Sequence, residues 1–279
     1  MLEIDKKIRY HTEIKNEIDN DESLHWKFRE NNWHFDYLIY PNKKSDKLLI
    51  LMPAALSKNK KITLPYFHRH SWAKSFNMNV IVVSDPTLSL NRDLLGGWFL
   101  GNASDYVFNR IIGHITLVQK ELNIKNKKTC FSGSSLGGFG ALLGATLLEG
   151  SLAYAENPQL DLREYKFQTH IDNLSKYCFN NDINSFFKRF PERFSILEAY
   201  QKYSNVPNSY IVQKQSDVSH YETQFKRFMR KSSDLNLAKN LFFAEELGSL
   251  IDDSGHTPLT LSQMKLRIEF LFNSTHMDV

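Results

Sequence analysis

Two cysteines, Cys130 and Cys178, are all that the chain holds. Neither has metal-site spacing, so no disulfide framework and no structural zinc site is expected. A run of about 18 apolar residues is also missing, and with it any membrane span. The opening segment Met1–Lys7 has no apolar h-region, so the expected compartment is the cytoplasm. Charge of one sign is scarce too. Thirty-five basic residues stand against 31 acidic ones, for a formal net charge of +4. No basic stripe interleaved with aromatics occurs, which excludes nucleic acid as the expected partner. The clusters Lys58, Lys60, Lys61 and Lys125, Lys127, Lys128 read as solvated loops. No internal repeat and no low-complexity linker breaks the sequence.

What is present is a 42% hydrophobic chain of 279 residues, enough for one large α/β domain. Trp26–Arg29 and Trp33–Tyr40 alternate apolar with polar residues across Glu30-Asn31-Asn32, the pattern of a β-hairpin. Lys47–Met52 and Asn79–Ser84 are continuous apolar runs, as in strands buried on both faces. Leu64–Phe76 predicts an aromatic-rich helix. Ser104–Leu122 predicts another, with apolar residues at helical spacing and Ser104 or Asp105 as N-cap. Further strands are expected at Thr129–Ser134, Ser151–Ala155, Ser209–Gln213 and Leu241–Glu245, and helices at Tyr221–Lys231 and Leu259–Phe272. The order implies a mostly parallel sheet with a leading antiparallel hairpin and helices on both faces. Residues 1–279 form one expected domain. The stretch of about 161–208 is too long for an ordinary connection and reads as a helical, cap-like insertion over a site.

One segment carries chemistry. Thr129-Cys130-Phe131-Ser132-Gly133-Ser134-Ser135-Leu136-Gly137-Gly138 is a short strand running through G-x-S-x-G into a small-residue helix. This is the setting of a nucleophile elbow, with Ser135 at its apex. A serine hydroxyl needs a general base and an acid to orient it, and on such a sheet the chain order is Ser, Asp or Glu, His. Asp217 follows the strand ending at Gln213, and His256 precedes the last helix. The alternative acid is Glu156 and the alternative base is His220. The backbone N–H of Leu136, with that of Ala54 or Ala55 beyond Pro53, is the expected oxyanion hole. Ser134 and Trp98, in Gly96-Gly97-Trp98-Phe99-Leu100-Gly101, are candidate substrate-lining residues. Trp98 is read either as a stacking platform for a sugar or as a buried anchor of its loop. His68 and His70 flank Arg69 without a carboxylate partner, and no metal site is expected there. Cys130 reads as a small buried hydrophobe.

From about Trp26 onward these residues resemble the α/β-hydrolase fold. Gly133–Leu143, then Asn157-Pro158-Gln159-Leu160-Asp161-Leu162 with Tyr165, are more narrowly similar to a family of bacterial capsule-locus proteins. That family includes O-acetyltransferases acting on capsular polysaccharide from acetyl-CoA. The resemblance implies Ser135, Asp217 and His256 as a triad, acetyl-CoA as a donor that is not tightly bound, and a carbohydrate acceptor. The expected chemistry is acyl transfer. A carboxylesterase or deacetylase acting on an acylated glycan or small ester needs the same triad. A non-catalytic glycan-binding or assembly module is the remaining alternative.

Overall fold

The computed structural model describes residues 7–10, 23–57, 63–247, 256 and 259–274. Among them, nine strands form one sheet: β1 (Lys7–Tyr10), β2 (Leu24–Glu30), β3 (Trp33–Tyr40), β4 (Leu48–Leu51), β5 (Asn79–Val83), β6 (Thr129–Ser134), β7 (Leu152–Glu156), β8 (Asn208–Lys214) and β9 (Leu241–Glu246). Their spatial order is β1-β2-β3-β5-β4-β6-β7-β8-β9. The β2–β3 and β3–β5 pairs are antiparallel, and every pair from β5 to β9 is parallel. The hairpin turns at Asn31-Asn32, where Asn31 takes a φ of 54°. Strand β1, parallel to β2, was not evident in the sequence. Lys58, Lys60, Lys61, the first six residues and the segment 248–255 lie outside the described residues.

Alternation along the strands divides the apolar residues between two faces. Leu48, Ile50, Phe131, Ala153 and Ile211 enter one core. Leu49, Leu51, Cys130, Tyr154 and Val212 enter the other. On the first face pack α1 (Phe108–Glu121) and α2 (Leu136–Leu147), the latter buried almost throughout. The second is covered by the 3₁₀ segment His70–Phe76 and by the C-terminal helix Leu261–Ser274. Each fully buried Leu or Phe in these layers contributes about 1.5–3 kcal/mol of apolar transfer. The expected helix over Leu64–Phe76 is thus shorter and tighter than its pattern suggests. The expected caps of α1 are also corrected. Val107 occupies the N-cap without a side-chain bond, while Asp105 instead accepts from the Trp33 indole at 2.8 Å and from Arg110 at 2.7 Å.

Between β7 and β8 lie α3 (Gln168–Cys178), α4 (Ile183–Arg189) and α5 (Ile196–Tyr203). Helix α3 is tied to the loop before α1. Asn173 donates to the Asp93 carbonyl at 3.0 Å, Tyr177 to the Asp93 carboxylate at 2.8 Å, and the Ala103 N–H to the Cys178 carbonyl at 2.8 Å. After β8 come a helical turn, a π turn at Tyr221–Phe225 and α6 (Lys226–Asp234). The chain leaves β4 toward β5 on one side and leaves its neighbour β6 toward β7 on the other, so the two connections diverge. Such a switch opens a crevice at the carboxyl ends of the strands. Pro53-Ala54-Ala55, Ser135, Asn157 and Asp217 all follow the carboxyl ends of their strands.

Candidate active site

Ser135 has φ 56° and ψ −118°, outside the ordinary regions for a residue with a side chain. Such a conformation costs about 1–3 kcal/mol and survives only where its surroundings impose it. Here the Ser135 N–H donates to the Glu156 carbonyl at 2.8 Å, and its own carbonyl accepts from Gly138 and Phe139. Two glycines make room for the bend. A Cβ on Gly133 would lie 2.2 Å from the Gly137 oxygen, and one on Gly137 would lie 2.7 Å from the Met52 oxygen. The turn therefore packs backbone on backbone, with α2 starting at Leu136 and the loop after β4 alongside it.

Asp217 lies in the loop after β8, just before the helical turn at Val218–His220, and is 1% exposed. Its Oδ2 lies 2.5 Å from His256 Nδ1. A carboxylate at Nδ1 favours the tautomer with its proton there, leaving Nε2 as the basic nitrogen. The described residues also place His220 Nδ1 2.8 Å from the same oxygen, with the two imidazoles stacked at 4.6 Å. Burial pushes the Asp217 carboxyl up, but hydrogen bonding and charge from His220 and His256 outweigh it and hold the group well below the usual carboxylate range. In His220 the balance of causes is reversed: burial lowers the imidazole more than Asp217 raises it. The donor atoms of Asp217, His220 and His256 lie within 4.8 Å of one another, close enough to share a metal ion. An ion there would compete for the nitrogen that Asp217 orients.

Ser135, His256 and His220 line one cavity of about 370 Å³, with Ala54, Ala55 and Ser134 on the same wall. Tyr165, Phe167 and His170, from the segment after β7, line it as well. Leu136 is the first residue of α2, so its N–H has no acceptor within the helix. Next along, the Leu56 N–H is tied to the Leu95 carbonyl at 2.6 Å, which fixes the strand of chain carrying Ala54 and Ala55. Trp98 is corrected as a stacking platform. It is fully buried, and its indole donates to Gln159 at 3.0 Å, so it anchors its loop. Gln159 itself donates to Ser135 Oγ at 2.7 Å. No role for Gln159 is read from the sequence; its place just past β7, the neighbour of the elbow strand, is the signal that could have found it.

Glu156 faces away from this arrangement. Its carboxylate is paired with Arg69 at 2.6 Å, with both side chains almost wholly buried. His68, on the cavity wall, is lowered to about 4 by burial and by the charge of Arg69. Asp85, which accepts from the Thr87 and Phe99 N–H groups, is raised to about 6 by burial, against those bonds. Linkage gives these two opposite signs. Unfolded His68 binds its proton more tightly, so its contribution is full above pH 6.5 and is lost as pH falls toward about 4. Folded Asp85 binds its proton more tightly, so its contribution is full below pH 3.8 and is lost as pH rises through about 6. Across pH 4–6 the two slopes oppose. Urea midpoints should show Asp85→Asn gaining on the wild type as pH rises through this window, and His68→Gln falling behind it. Parallel curves for all three proteins would refute both assignments.

No protein-family model and no curated protein sequence matches the chain. Solved structures do. The capsule O-acetyltransferase of Neisseria meningitidis serogroup A is 18% identical, with a TM-score of 0.62 over 88% of this chain and 93% of that one. FphF, a fluorophosphonate-binding serine hydrolase of Staphylococcus aureus, is 14% identical, with a TM-score of 0.59 over 90% and 98%. An S-formylglutathione hydrolase from Agrobacterium tumefaciens is 12% identical, with a TM-score of 0.59 over 90% and 94%. With its mostly parallel sheet, its antiparallel β2–β3 hairpin and a serine on the bend between β6 and α2, the chain has the α/β-hydrolase fold.

Proposed function

We propose that this protein is a serine acyltransferase whose chemistry runs through Ser135, His256 and Asp217. The observation that carries the reading is the strained Ser135 hydroxyl sharing one cavity with an imidazole held by a buried carboxylate. His256 Nε2 takes the hydroxyl proton as Oγ attacks the acyl carbonyl. Asp217 keeps Nδ1 protonated and stabilises the imidazolium that forms. The oxyanion rests on the Leu136 N–H and on a second N–H from Ala54 or Ala55, aided by the positive end of α2. The leaving group departs with the proton from His256. An acceptor hydroxyl then repeats the sequence on the acyl-enzyme and frees Ser135.

The preferred reaction is O-acetyl transfer from acetyl-CoA to a bacterial surface polysaccharide in the cytoplasm. The sequence resemblance favours it, as does the fold shared with the meningococcal capsule O-acetyltransferase, one structure of which holds CoA. In this reading the insertion at 161–208 acts as a cap through Tyr165, Phe167 and His170, which line the cavity; shielding the acyl-enzyme from water there would favour a sugar hydroxyl over hydrolysis. Ester hydrolysis is the second reading, supported by the serine hydrolases of the same fold.

Mass spectrometry after brief exposure to p-nitrophenyl acetate should find one acetyl group, on the peptide containing Ser135. Supplied with acetyl-CoA, the enzyme should release CoA faster when an oligosaccharide acceptor is added. Release indifferent to every glycan would favour the hydrolase. An unmodified Ser135 peptide alongside steady turnover would end the serine mechanism.

A further inference from the structure

Gln159 touches the nucleophile and is neither its base nor its acid. Its side chain is fully buried. The amide Nε2 donates to Ser135 Oγ at 2.7 Å, and Oε1 accepts from Trp98 Nε1 at 3.0 Å. An indole nitrogen only donates, so Trp98 fixes which way the amide points: carbonyl toward the indole, NH₂ toward the serine. Trp98 is itself held firmly. It and Phe99 take φ values of 47° and 59°, two successive left-handed residues. The Phe99 N–H is anchored on Asp85 at 3.1 Å, and the Leu100 N–H on the Gly97 carbonyl at 2.9 Å. Strain of this kind persists only where neighbours over-determine it.

We infer that Gln159 is a catalytic hydrogen-bond donor to the serine oxygen and that Trp98 is its positioning residue; this rests on the serine acyl-transfer reading. In acylation the Gln159 N–H occupies one lone pair of Oγ, which directs the hydroxyl hydrogen at His256. The O–H bond breaks, its proton passes to Nε2, and the Oγ–carbonyl bond forms. In deacylation the acceptor hydroxyl gives its proton to Nε2 and its oxygen bonds the acyl carbon. The carbon–Oγ bond then breaks, its electron pair stays on Oγ, and His256 returns the proton. As Oγ departs it carries negative charge, and a buried amide N–H stabilises that charge more than it does the neutral ester. The donor thus acts on the leaving step as well as on the attack.

The test uses the whole protein and p-nitrophenyl acetate, with burst and steady-state phases separated. Gln159→Leu should lower kcat by about 10²-fold while KM moves less than about threefold. Gln159→Glu keeps the shape and the acceptor for Trp98 but makes the donor ionisable. It should work while the new carboxyl is protonated and lose activity as pH rises, where the wild type holds its plateau. Trp98→Phe should lose about tenfold by releasing the amide. Should Gln159→Leu fail to fold, the Gln159→Glu profile decides. If Ser135→Ala is dead while Gln159→Leu stays within about threefold of wild type, or Gln159→Glu keeps the wild-type profile, the Gln159 role alone is overturned. If Ser135→Ala turns over like the wild type, the serine reading itself falls and takes this inference with it.

Discussion

Ser135→Ala should lower kcat/KM for p-nitrophenyl acetate by about 10⁴-fold or more, equivalent to about 5.4 kcal/mol of lost transition-state stabilisation. The remaining rate is what the Leu136 N–H and the cavity provide without a nucleophile. His256→Ala should cost as much, and at least as much as Asp217→Ala, because it removes the proton acceptor itself. The Ser135→Ala, His256→Ala double variant should be no slower than either single one, since the two groups act in one step. Additive losses would mean that they act separately. His220 makes the Asp217 result informative. It lies 2.8 Å from the same oxygen and stacks on His256, so it is the competing base for that carboxylate. A small loss in His256→Ala together with a large one in His220→Ala would exchange their roles.

The elbow was legible because its requirement is steric and local. Gly133 and Gly137 are glycine since each Cβ would strike backbone, and a five-residue motif records that. Strands buried on both faces were legible for a similar reason, because continuous apolar runs have few other uses. Asp217 and His256 could be assigned to the same edge of the sheet as Ser135 because parallel strands send their following loops to one edge. Contacts distant in sequence were not readable. The Gln159–Trp98 bond joins positions 61 residues apart, and nothing in either segment announces the other. The N-cap of α1 failed because Asp105 was drawn to Trp33 and Arg110, a tertiary demand stronger than a local capping preference. Trp98 shows the same limit: a glycine-flanked tryptophan suits a sugar platform or a buried anchor, and only packing chooses.

Glu156 illustrates how a carboxylate at a strand's end can mimic a catalytic acid. It is the last residue of β7, the strand beside the elbow strand, yet its oxygen meets Arg69 rather than a histidine. Arg69 also lies over the Trp72 ring at 4.7 Å and donates to Met264 Sδ at 3.3 Å, linking β7 to the C-terminal helix. Removing one partner of such a pair strands the other charge in the interior, at a cost of about 3–5 kcal/mol. Arg69→Met should therefore lower the melting temperature by roughly 6–20 °C. Adding Glu156→Gln should recover most of that loss, because the charge left behind is neutralised while its volume stays. Through all of this kcat per folded molecule should stay within about tenfold of wild type, since Glu156 holds Ser135 through its backbone carbonyl, which the substitution leaves in place. Asp217→Asn should do the reverse, with a modest melting shift and a collapse in rate. Measured at equal folded fraction, a Glu156→Gln enzyme as slow as Asp217→Asn would place the reaction's acid at the end of β7 and remove Asp217 from the mechanism.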